Sequence, residues 1–480
     1  MNNARADDTS TRRWLTVMVS LQVLTRLPYL FRGYGGDDDA WRIARAAHEF
    51  LRGGVYTPSR PPGYPLFEGV NALLVPLGKW YLSNGATLLV SLGAFLVFHR
   101  IIRTLKLEHW KLLLVLFAFF PLFWTNAANT MDYVWALLCV LGGFLQLLKG
   151  RHVLAGVLVG LAVGFRLSSC LFVLPFAAYL LAERDTRRAL IFTGVATFCG
   201  LIAFAPPLLQ SGTAAFSYFK PQSFEATHIP YYMVSALGLV PALIVALGLA
   251  RHRHGLWRDL RDGDGVVLAC VVSVLTVAAL FCLVPHDRAY LLPLFPFLFI
   301  LLGRYLDRKW LAAFVVFALV FGFVKIEVKD DRSADVVRIR PHLATGPVVN
   351  SFRHLDEQME LRDALAPYLA HEFAPDEKGV LVSGFVLGLA QLVDNPAFSR
   401  VELPGIGTDV YALADSETLV MSETMDAAAY AYFTANGYRM VFVEGALRYA
   451  RNAYGFEVDA ASSEVVQASD ILAIADGTQD

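Results

Sequence analysis

The chain alternates long apolar runs with short basic loops over its first two-thirds. A bilayer is crossed by about 20 consecutive apolar residues, and by fewer where the protein shortens the path. The pattern therefore predicts about eleven membrane spans. They are Trp14–Phe31, Gly85–Phe98, Leu112–Trp124, Tyr133–Leu148, Val153–Phe165, Ser168–Leu181, Ala189–Leu208, Tyr231–Ala250, Val266–Val284, Tyr290–Leu302 and Trp310–Val324. Because no small-residue cleavage site follows the first run, it is interpreted as a retained span rather than a signal peptide.

Lys and Arg residues are concentrated in every second loop, and loops of this kind face the cytoplasm. Clusters such as Arg100–Lys111 and Arg251–Arg261 belong to this set. The alternate loops, among them 37–60 and 126–132, and everything beyond Lys325 are then predicted to face the periplasm or the cell exterior. The sequence thus predicts a multi-pass protein of the inner (plasma) membrane with a cytoplasmic N terminus.

One segment, His152–Ala182, has basic loops at both ends and must enter and return within about 30 residues. Two short helices that meet at Gly164-Phe165-Arg166 satisfy this requirement, since short helices at membrane depth are tolerated where they line a cavity. We therefore expect Arg166 at the floor of a cavity. Arg26, near the outer end of the first span, either faces protein or water or snorkels to the interface.

The composition changes at about Glu327, where charged residues replace the apolar runs. Helical patterns and short apolar strands then alternate, which predicts a compact α/β domain of about 150 residues. The predicted elements are helices at Phe352–Ala370 and Ala427–Asn436 and strands at Gly379–Phe385, Tyr438–Val443 and Ile471–Ala475. We therefore expect a helical membrane domain over residues 1–325, with an interfacial helix and first outer loop at 33–80, and an extracytoplasmic α/β domain over 326–480.

The composition agrees with a membrane protein: 56% of residues are hydrophobic and 17% are charged, and the mean hydropathy is +0.49. These values lie outside the range of an ordinary soluble domain. The net charge of −1 gives no electrostatic indication of nucleic-acid binding. The five cysteines lie in apolar stretches without close pairs, so the sequence has no CxxC metal site and no sign of a disulfide framework.

The stretch Gly36–Pro65 is the most polar part of the first two-thirds of the chain. It contains three consecutive aspartates, Asp37, Asp38 and Asp39, followed by an amphipathic helix of the kind that lies in a membrane interface. Tyr56, Arg60 and a Pro-Pro-Gly-Tyr-Pro turn that includes Tyr64 come next. The aspartates either cap this helix and interact with its dipole or serve a reaction, and the residues alone leave both interpretations open.

Other polar residues lie in loops or at span ends that are predicted to face the same side of the membrane as Gly36–Pro65. Asp132 precedes a span and has the alternative role of a helix N-cap. Lys220 lies in a polar and aromatic loop that suits a flap but also a plain surface connection. His286 and Arg288 begin a span, where an interface anchor is the alternative.

Together, an acidic cluster and several arginines on one side of a membrane suit an enzyme that uses a lipid phosphate. The guanidinium group matches the geometry of phosphate oxygens better than the Lys ammonium does. A carboxylate is able to take the proton of an acceptor hydroxyl as general base.

The stretch GDDDAWR…AAHEFLRGGVYTPSRPPGYP resembles the first outer loop of the polyprenyl-phosphate-sugar-dependent glycosyltransferases of the GT-C superfamily. Within it the match is to the group of dolichyl-phosphate-mannose protein mannosyltransferases and aminoarabinose transferases. HDRAYLLPLFP and the Gly-Phe-Arg turn are similar to further segments of that group. The resemblance implies a GT-C-like cell-envelope enzyme that transfers a hexosyl or pentosyl group, with inversion, from a polyprenyl-phosphate sugar to a lipid, glycan or protein acceptor.

The resemblance also implies roles for individual residues. The acidic motif falls on Asp37 and Asp39 or on Asp37 and Asp38, with Asp39 or Asp37 as the general base. Asp132 matches a second acid that positions the acceptor or a metal ion. The residues implied in binding the donor or its phosphate are Arg60, Tyr64, Arg166, His286, Arg288, Tyr56 and Lys220. The chain departs from the group's pattern in having Asp-Asp rather than Asp-Glu, and in having Ala289 between Arg288 and Tyr290.

Two further matters stay open from the residues alone. The aspartates Asp37 and Asp39 are able to bind Mg²⁺ or Mn²⁺, or to act without a metal ion. A polytopic transporter or lipid flippase is the alternative function, and inverted repeats, which would favour it, are not visible. A membrane-anchored binding protein would need a ligand motif in the C-terminal domain, where no Gly-rich phosphate loop follows the strand at Gly379–Phe385.

Overall fold

The computed structural model describes residues 2–54, 56–212, 236–284, 287–331, 338–384, 392–406, 410–422, 425, 427–444 and 464–475. The chain divides into two compact units. The first contains Met1–Phe31 and Ala46–Phe352, and the second contains Arg32–Arg45 and Arg353–Asp480.

The first unit is built mainly of apolar α-helices. Its helices are α1 (Asn2–Arg26), α2 (Asp38–Gly53, which begins in the second unit), α3 (Pro65–Thr104), α4 (Trp110–Phe119), α5 (Pro121–Asn126), α6 (Tyr133–Leu148), α7 (His152–Phe165), α8 (Val173–Ala182), α9 (Thr186–Ala203), α10 (Ala205–Ser211), α11 (Leu239–Arg261), α12 (Gly265–Leu283), α13 (Phe295–Tyr305) and α14 (Arg308–Phe323). Short 3₁₀ helices occupy Leu27–Phe31, Leu167–Phe172 and Arg288–Leu294. A hairpin of β1 (Val324–Asp331) and β2 (Arg338–Thr345) follows α14.

Within the described residues, five helical segments are long and apolar enough to cross a membrane. They are Thr9–Phe31, Pro65–Thr104, Thr186–Ala203, Gly265–Leu283 and Arg288–Tyr305. Shorter apolar helices lie between them. The prediction of a polytopic helical membrane protein is therefore confirmed.

Several predicted spans differ from the observed helices; Ala189–Leu208, for example, is divided between α9 and α10. The predicted span Leu112–Trp124 consists of α4 and α5, since Pro121 lacks the N–H that a continuous helix needs. The predicted span Gly85–Phe98 is the interior of α3, which has 40 residues and is kinked at Gly78 and Lys79. The two short helices predicted to meet near Arg166 are present as α7 and the 3₁₀ helix that leads into α8.

Arg26, at the end of α1, is fully buried rather than snorkelling to an interface. Its guanidinium donates to the carbonyl oxygens of Gln22 and Ala118 and lies over the rings of Phe119 and Trp124. Ala118 is next to the last residue of α4, where the break leaves carbonyl groups without helical partners. The snorkelling alternative is therefore wrong, and Arg26 instead binds the end of α4.

The second unit has a six-stranded sheet in the order β4-β5-β6-β3-β7-β8. The strands are β3 (Gly379–Gly384), β4 (Phe398–Val401), β5 (Val410–Leu413), β6 (Leu419–Ser422), β7 (Arg439–Val443) and β8 (Glu464–Val466), and the helices are α15 (Pro347–Glu372, whose first turns belong to the first unit), α16 (Ala427–Ala435) and α17 (Ala468–Ala475). β3 is parallel to β6 and β7, and β8 is parallel to β7. A hydrophobic core that includes Val380, Val382, Phe433 and Phe442 packs α16 against the sheet.

The predicted α/β character of this unit is confirmed, and so are the helices near 352–370 and 427–436 and the strands at Gly379–Gly384 and Arg439–Val443. The predicted strand Ile471–Ala475 is wrong, because these residues belong to α17. A short apolar run fits a strand or a buried helix equally well. The helix is favoured here by the carboxylate of Asp470, which accepts the N–H of Gln467 at the start of the helix.

Candidate active site

Asp132 is the centre of a buried ionic cluster in the first unit. Its side chain is inaccessible to solvent, and its two carboxylate oxygens accept from two different arginines. Oδ1 is 2.9 Å from Arg60 Nη2, and Oδ2 is 2.7 Å from Arg166 Nη1. We call these three residues the Arg–Asp–Arg cluster. Asp132 occupies the N-cap position of α6, but its side chain caps no backbone N–H there, so the predicted capping role is wrong.

Arg166 lies among tyrosine rings. It links α7 to the following 3₁₀ helix, and its backbone is extended. The guanidinium carbon is 4.1 Å from the ring centre of Tyr133 and 4.7 Å from that of Tyr290. Stacking on aromatic faces is a contact that a lysine does not reproduce. The cluster and its rings therefore hold the Arg166 guanidinium in a fixed plane.

Arg60 reaches Asp132 from the turn that precedes α3. Its guanidinium carbon lies 4.2 Å from the ring centre of Tyr64, which belongs to the same turn. Gly63 has a φ of +102°, a region that favours glycine. A Cβ atom at this position would lie 2.7 Å from Tyr56 Oη, so the turn also needs the small size of glycine.

Glu68, in the first turn of α3, holds this turn in shape. Its buried carboxylate accepts from Ser59 N at 2.7 Å, from Ser59 Oγ, from Tyr64 N at 3.0 Å and from Tyr56 Oη. Burial, with the nearby Glu68 carboxylate, raises the pKa of Tyr56 well above its usual range, so its hydroxyl remains a hydrogen-bond donor. Glu68 thus fixes the backbone on either side of Arg60.

A row of buried polar side chains on α3 fixes the chain just before and after Asp132. Thr130 Oγ1 lies 2.7 Å from Ser83 Oγ and 2.9 Å from Asn84 Oδ1. On the other side of Asp132, Trp135 Nε1 donates to Thr87 Oγ1 at 3.0 Å. Buried polar groups of this kind are hydrogen-bonded because an unpaired one is costly. These contacts set the position of Asp132 relative to α3.

The 3₁₀ helix Arg288–Leu294 lies next to the Arg–Asp–Arg cluster, since its Tyr290 ring contacts Arg166. Asp287 caps it by accepting the N–H of Ala289 at 3.0 Å, and it also accepts the hydroxyl of Tyr133 at 2.6 Å. Arg288 itself is exposed, whereas Tyr290 stacks on Arg166.

The three consecutive aspartates lie in the second unit, at the start of α2. Asp37 Oδ1 accepts the N–H of Asp39 at 3.0 Å, and the Asp37 carbonyl accepts the N–H of Ala40 at 3.0 Å. The capping interpretation therefore holds for Asp37. Asp38 and Asp39 are partly exposed in the first turn, where a carboxylate interacts favourably with the helix dipole.

The structure brings together four of the predicted site residues, Arg60, Tyr64, Asp132 and Arg166, and holds Tyr56 in the same turn. Lys220 and His286 lie outside the described residues.

Sequence reasoning missed the parts played by Glu68, Tyr133 and Tyr290. Glu68 was given no role, and the two tyrosines were interpreted only as the first residues of spans. A Glu four residues after Tyr64, at the start of an apolar helix, was the available signal, because that spacing lets it accept the N–H of Tyr64.

Within the part of the chain that the structure describes, no group of three or more His, Cys, Asp or Glu side chains is arranged to hold a metal ion. Asp37 and Asp39 stay the proposed ligands for Mg²⁺ or Mn²⁺.

The chain is similar to known proteins in sequence and in fold. The sequence profile of Glycosyltransferase family 87 matches residues 61–291, a region that contains Asp132, Arg166 and Tyr290. The crystal structure of ArnT from Cupriavidus metallidurans in the apo state superposes with a TM-score of 0.55 at 13% identity, and covers 89% of this chain and 88% of that one. The structure of ArnT from the same organism bound to undecaprenyl phosphate gives a TM-score of 0.53 at 14% identity, and covers 77% of this chain and 82% of that one.

No curated protein sequence matches the chain. The family match and the shared fold nevertheless agree with each other, and both agree with the resemblance carried by residues 36–65. They show that the chain has the fold of these ArnT structures and that residues 61–291 match the profile of a glycosyltransferase family.

Proposed function

We propose that the protein transfers a sugar from a polyprenyl-phosphate donor to an acceptor hydroxyl on the outer face of the membrane, with inversion at the anomeric carbon. The acceptor class is a lipid, a glycan or a protein. The observation that carries the proposal is the Arg–Asp–Arg cluster with its tyrosine rings. The similarity to an ArnT structure that contains undecaprenyl phosphate supports the choice of donor.

The charges of the cluster favour an anion. Two guanidinium groups share one carboxylate, so these three residues together carry one positive charge. The nearby Glu68 and Asp287 carboxylates accept from backbone N–H groups and from Ser and Tyr hydroxyls. Both arginine side chains are at most about one-tenth exposed, and in such surroundings water screens the charge less than it does at the surface. Arg166 uses one N–H in a hydrogen bond with the described residues, to Asp132, and a guanidinium has five. A phosphate group would accept from the others.

The same charges stabilise the leaving group. As the acceptor oxygen attacks the anomeric carbon, the bond from that carbon to the phosphate oxygen breaks, and the polyprenyl phosphate leaves with the electron pair. Arg60 and Arg166, already held in place, would stabilise the charge that develops without having to reorganise. Arg288, which is exposed, is the proposed third cation for the donor.

Asp39 is the proposed general base. It would take the proton of the acceptor hydroxyl during the attack. Asp132 suits this role poorly, because both of its oxygens already accept from arginines. Asp37, which caps α2 with one oxygen, is the alternative base named from the sequence.

The direct test is binding of undecaprenyl phosphate to the purified full-length protein in detergent. Replacing Arg166 by Lys keeps the charge but removes the planar group that stacks on Tyr133 and Tyr290. We expect binding to weaken by at least about tenfold, equivalent to ~1.4 kcal/mol.

The matched control is Arg188→Lys, a charge-conserving change at a half-exposed ion pair with Asp185. We expect this variant to bind like the wild type. Equal affinity of wild type, Arg166→Lys and Arg60→Lys would contradict the assignment of the cluster as the phosphate site.

A further inference from the structure

The segment that carries the aspartates is built into the same unit as the C-terminal sheet, although about 300 residues separate them in the chain. Tyr34 and Trp41, which flank Gly36 and the aspartates, are fully buried. The Trp41 ring lies 5.9 Å from the guanidinium carbon of Arg362, which belongs to α15. The loop before α2 is therefore part of the core of the second unit.

Helix α15 binds the backbone directly before Asp37. His354 Nε2 lies 3.0 Å from the Gly36 carbonyl oxygen, and Gln358 Nε2 lies 3.3 Å from the same atom. Gln358 Nε2 also lies 3.0 Å from His354 Nε2. The Gln358 amide donates to the Gly36 carbonyl, and His354 Nε2 either donates to this carbonyl or accepts from Gln358, according to its tautomer. A Cβ atom at residue 36 would lie 3.0 Å from His354 Cδ2, so glycine permits this close approach.

Two further contacts hold the loop on the N-terminal side of Gly36. Arg32 forms an ion pair with Asp356, which is two residues from both His354 and Gln358 on α15. The Tyr34 hydroxyl donates to Asp394. On the other side, Trp41 Nε1 donates to the Gly35 carbonyl oxygen at 2.9 Å, which closes the loop onto the first turn of α2.

We propose that the C-terminal α/β unit positions the acidic motif, and that His354 and Gln358 are its positioning residues. This inference rests on the proposed role of Asp39 as general base. A general base must lie within hydrogen-bond reach of the proton it removes, and a misplacement of about 1 Å costs roughly a hundredfold in rate. His354 and Gln358 act through the Gly36 carbonyl, which is bonded to the nitrogen of Asp37.

The test uses the full-length protein and the variants His354→Ala, Gln358→Ala and the double variant. Two quantities are measured: hydrogen–deuterium exchange of the backbone over residues 33–41, and kcat and KM for a polyprenyl-phosphate sugar. His371→Ala is the matched control, because His371 is an exposed histidine in the last turn of the same helix. His354→Gln is the conservative variant, since its amide N–H is able to donate to the Gly36 carbonyl.

We expect faster exchange over 33–41 in the double variant, together with a kcat lowered by about tenfold or more and a donor KM within twofold of the wild type. His354→Gln should restore a large part of kcat, and His371→Ala should match the wild type in both measurements. Unchanged exchange in the double variant would overturn the inference. Faster exchange with an unchanged kcat would also overturn it, since the loop would then be held without consequence for the base.

Failure of the proposed function is recognised separately. A wild type that transfers no sugar from any donor, or an Asp39→Asn variant with full kcat, contradicts the base assignment. The exchange measurement still decides in that case whether His354 and Gln358 hold the loop.

Discussion

At the scale of single residues, Asp132 is the centre of the site because both of its carboxylate oxygens bind arginines. The sequence allowed a helix cap, a second acid or a metal ligand at this position. The structure instead uses both oxygens to hold two arginines. Sequence reasoning selected Asp132 and Arg166 as polar residues at loops and span ends that have few others, and Arg60 as part of the polar stretch Gly36–Pro65. It did not reveal that the three form one cluster, because Arg60 is 72 residues and Arg166 is 34 residues from Asp132.

We predict that Asp132→Asn destabilises the protein strongly. The amide accepts from one arginine at most and turns its N–H₂ group toward the other, so a buried guanidinium loses its counter-charge. Breaking a buried ionic group on one side costs about 3–5 kcal/mol. Thermal denaturation in detergent measures the effect.

The comparison variant for this prediction is Arg188→Ala, which breaks a half-exposed ion pair with Asp185. A pair of this kind contributes less than about 1 kcal/mol. A melting temperature of Asp132→Asn no lower than that of Arg188→Ala would contradict the structural role given to Asp132.

At the scale of elements, the turn from Tyr56 to Tyr64 and the loop before α2 present the functional residues. The turn-forming residues Pro61, Pro62 and Gly63 predicted a turn, and the structure has one. Its exact shape depends on Glu68, whose partners in the turn lie 4 to 12 residues earlier in the chain. Local propensity does not predict contacts of this kind, which is why Glu68 was missed.

We predict that Gly63→Ala lowers both stability and transfer activity. The residue has a positive φ, and the added Cβ would meet Tyr56 Oη at 2.7 Å, so the turn must shift and carry Arg60 with it. Such backbone strain costs about 1–3 kcal/mol. Thermal denaturation and donor turnover measure the two effects.

Gly53→Ala is the matched control, because a Cβ atom at the end of α2 meets no atom within 4 Å. Gly53→Ala should retain wild-type stability and turnover. If the two variants behave alike, the tight geometry inferred for the turn is wrong.

The second unit contains a group whose ionisation links its stability to pH. The Ala374 N–H, and then Arg439, lower the pKa of Glu377 below its usual value near 4.5. A lowered pKa in the folded state means that Glu377 stabilises the fold above pH 4.5 and that this contribution is lost as the pH falls further.

We therefore predict that Glu377→Gln lowers the melting temperature at pH 6, and that the difference from the wild type disappears as the pH falls from about 4.5 towards 3. The adjacent change Asp376→Asn, at an exposed side chain, should have no effect at either pH. A difference between Glu377→Gln and the wild type that is constant over this range would exclude the carboxylate charge as its cause.

At the scale of the whole molecule, the sequence predicted the fold class and most element types, because hydrophobic runs and periodicity are local signals. The hairpin β1–β2 went unrecognised since its strands are mostly charged and polar. The assignment of Arg32–Arg45 to the same unit as Arg353–Asp480 also lay beyond sequence reasoning. Pairs such as Arg32 and Asp356 are 324 residues apart, and one sequence carries no signal that links them.

The central claim is that the protein transfers sugar from a polyprenyl phosphate. The most direct measurement is the release of free polyprenyl phosphate by the purified full-length protein, with a panel of polyprenyl-phosphate sugars and mixed lipid, glycan and peptide acceptors. The account predicts release by the wild type with at least one donor, and loss of that release in folded Asp39→Asn. Undiminished release by Asp39→Asn would contradict the assignment of the base, and a wild type that neither binds nor turns over any polyprenyl-phosphate sugar would contradict the claim itself.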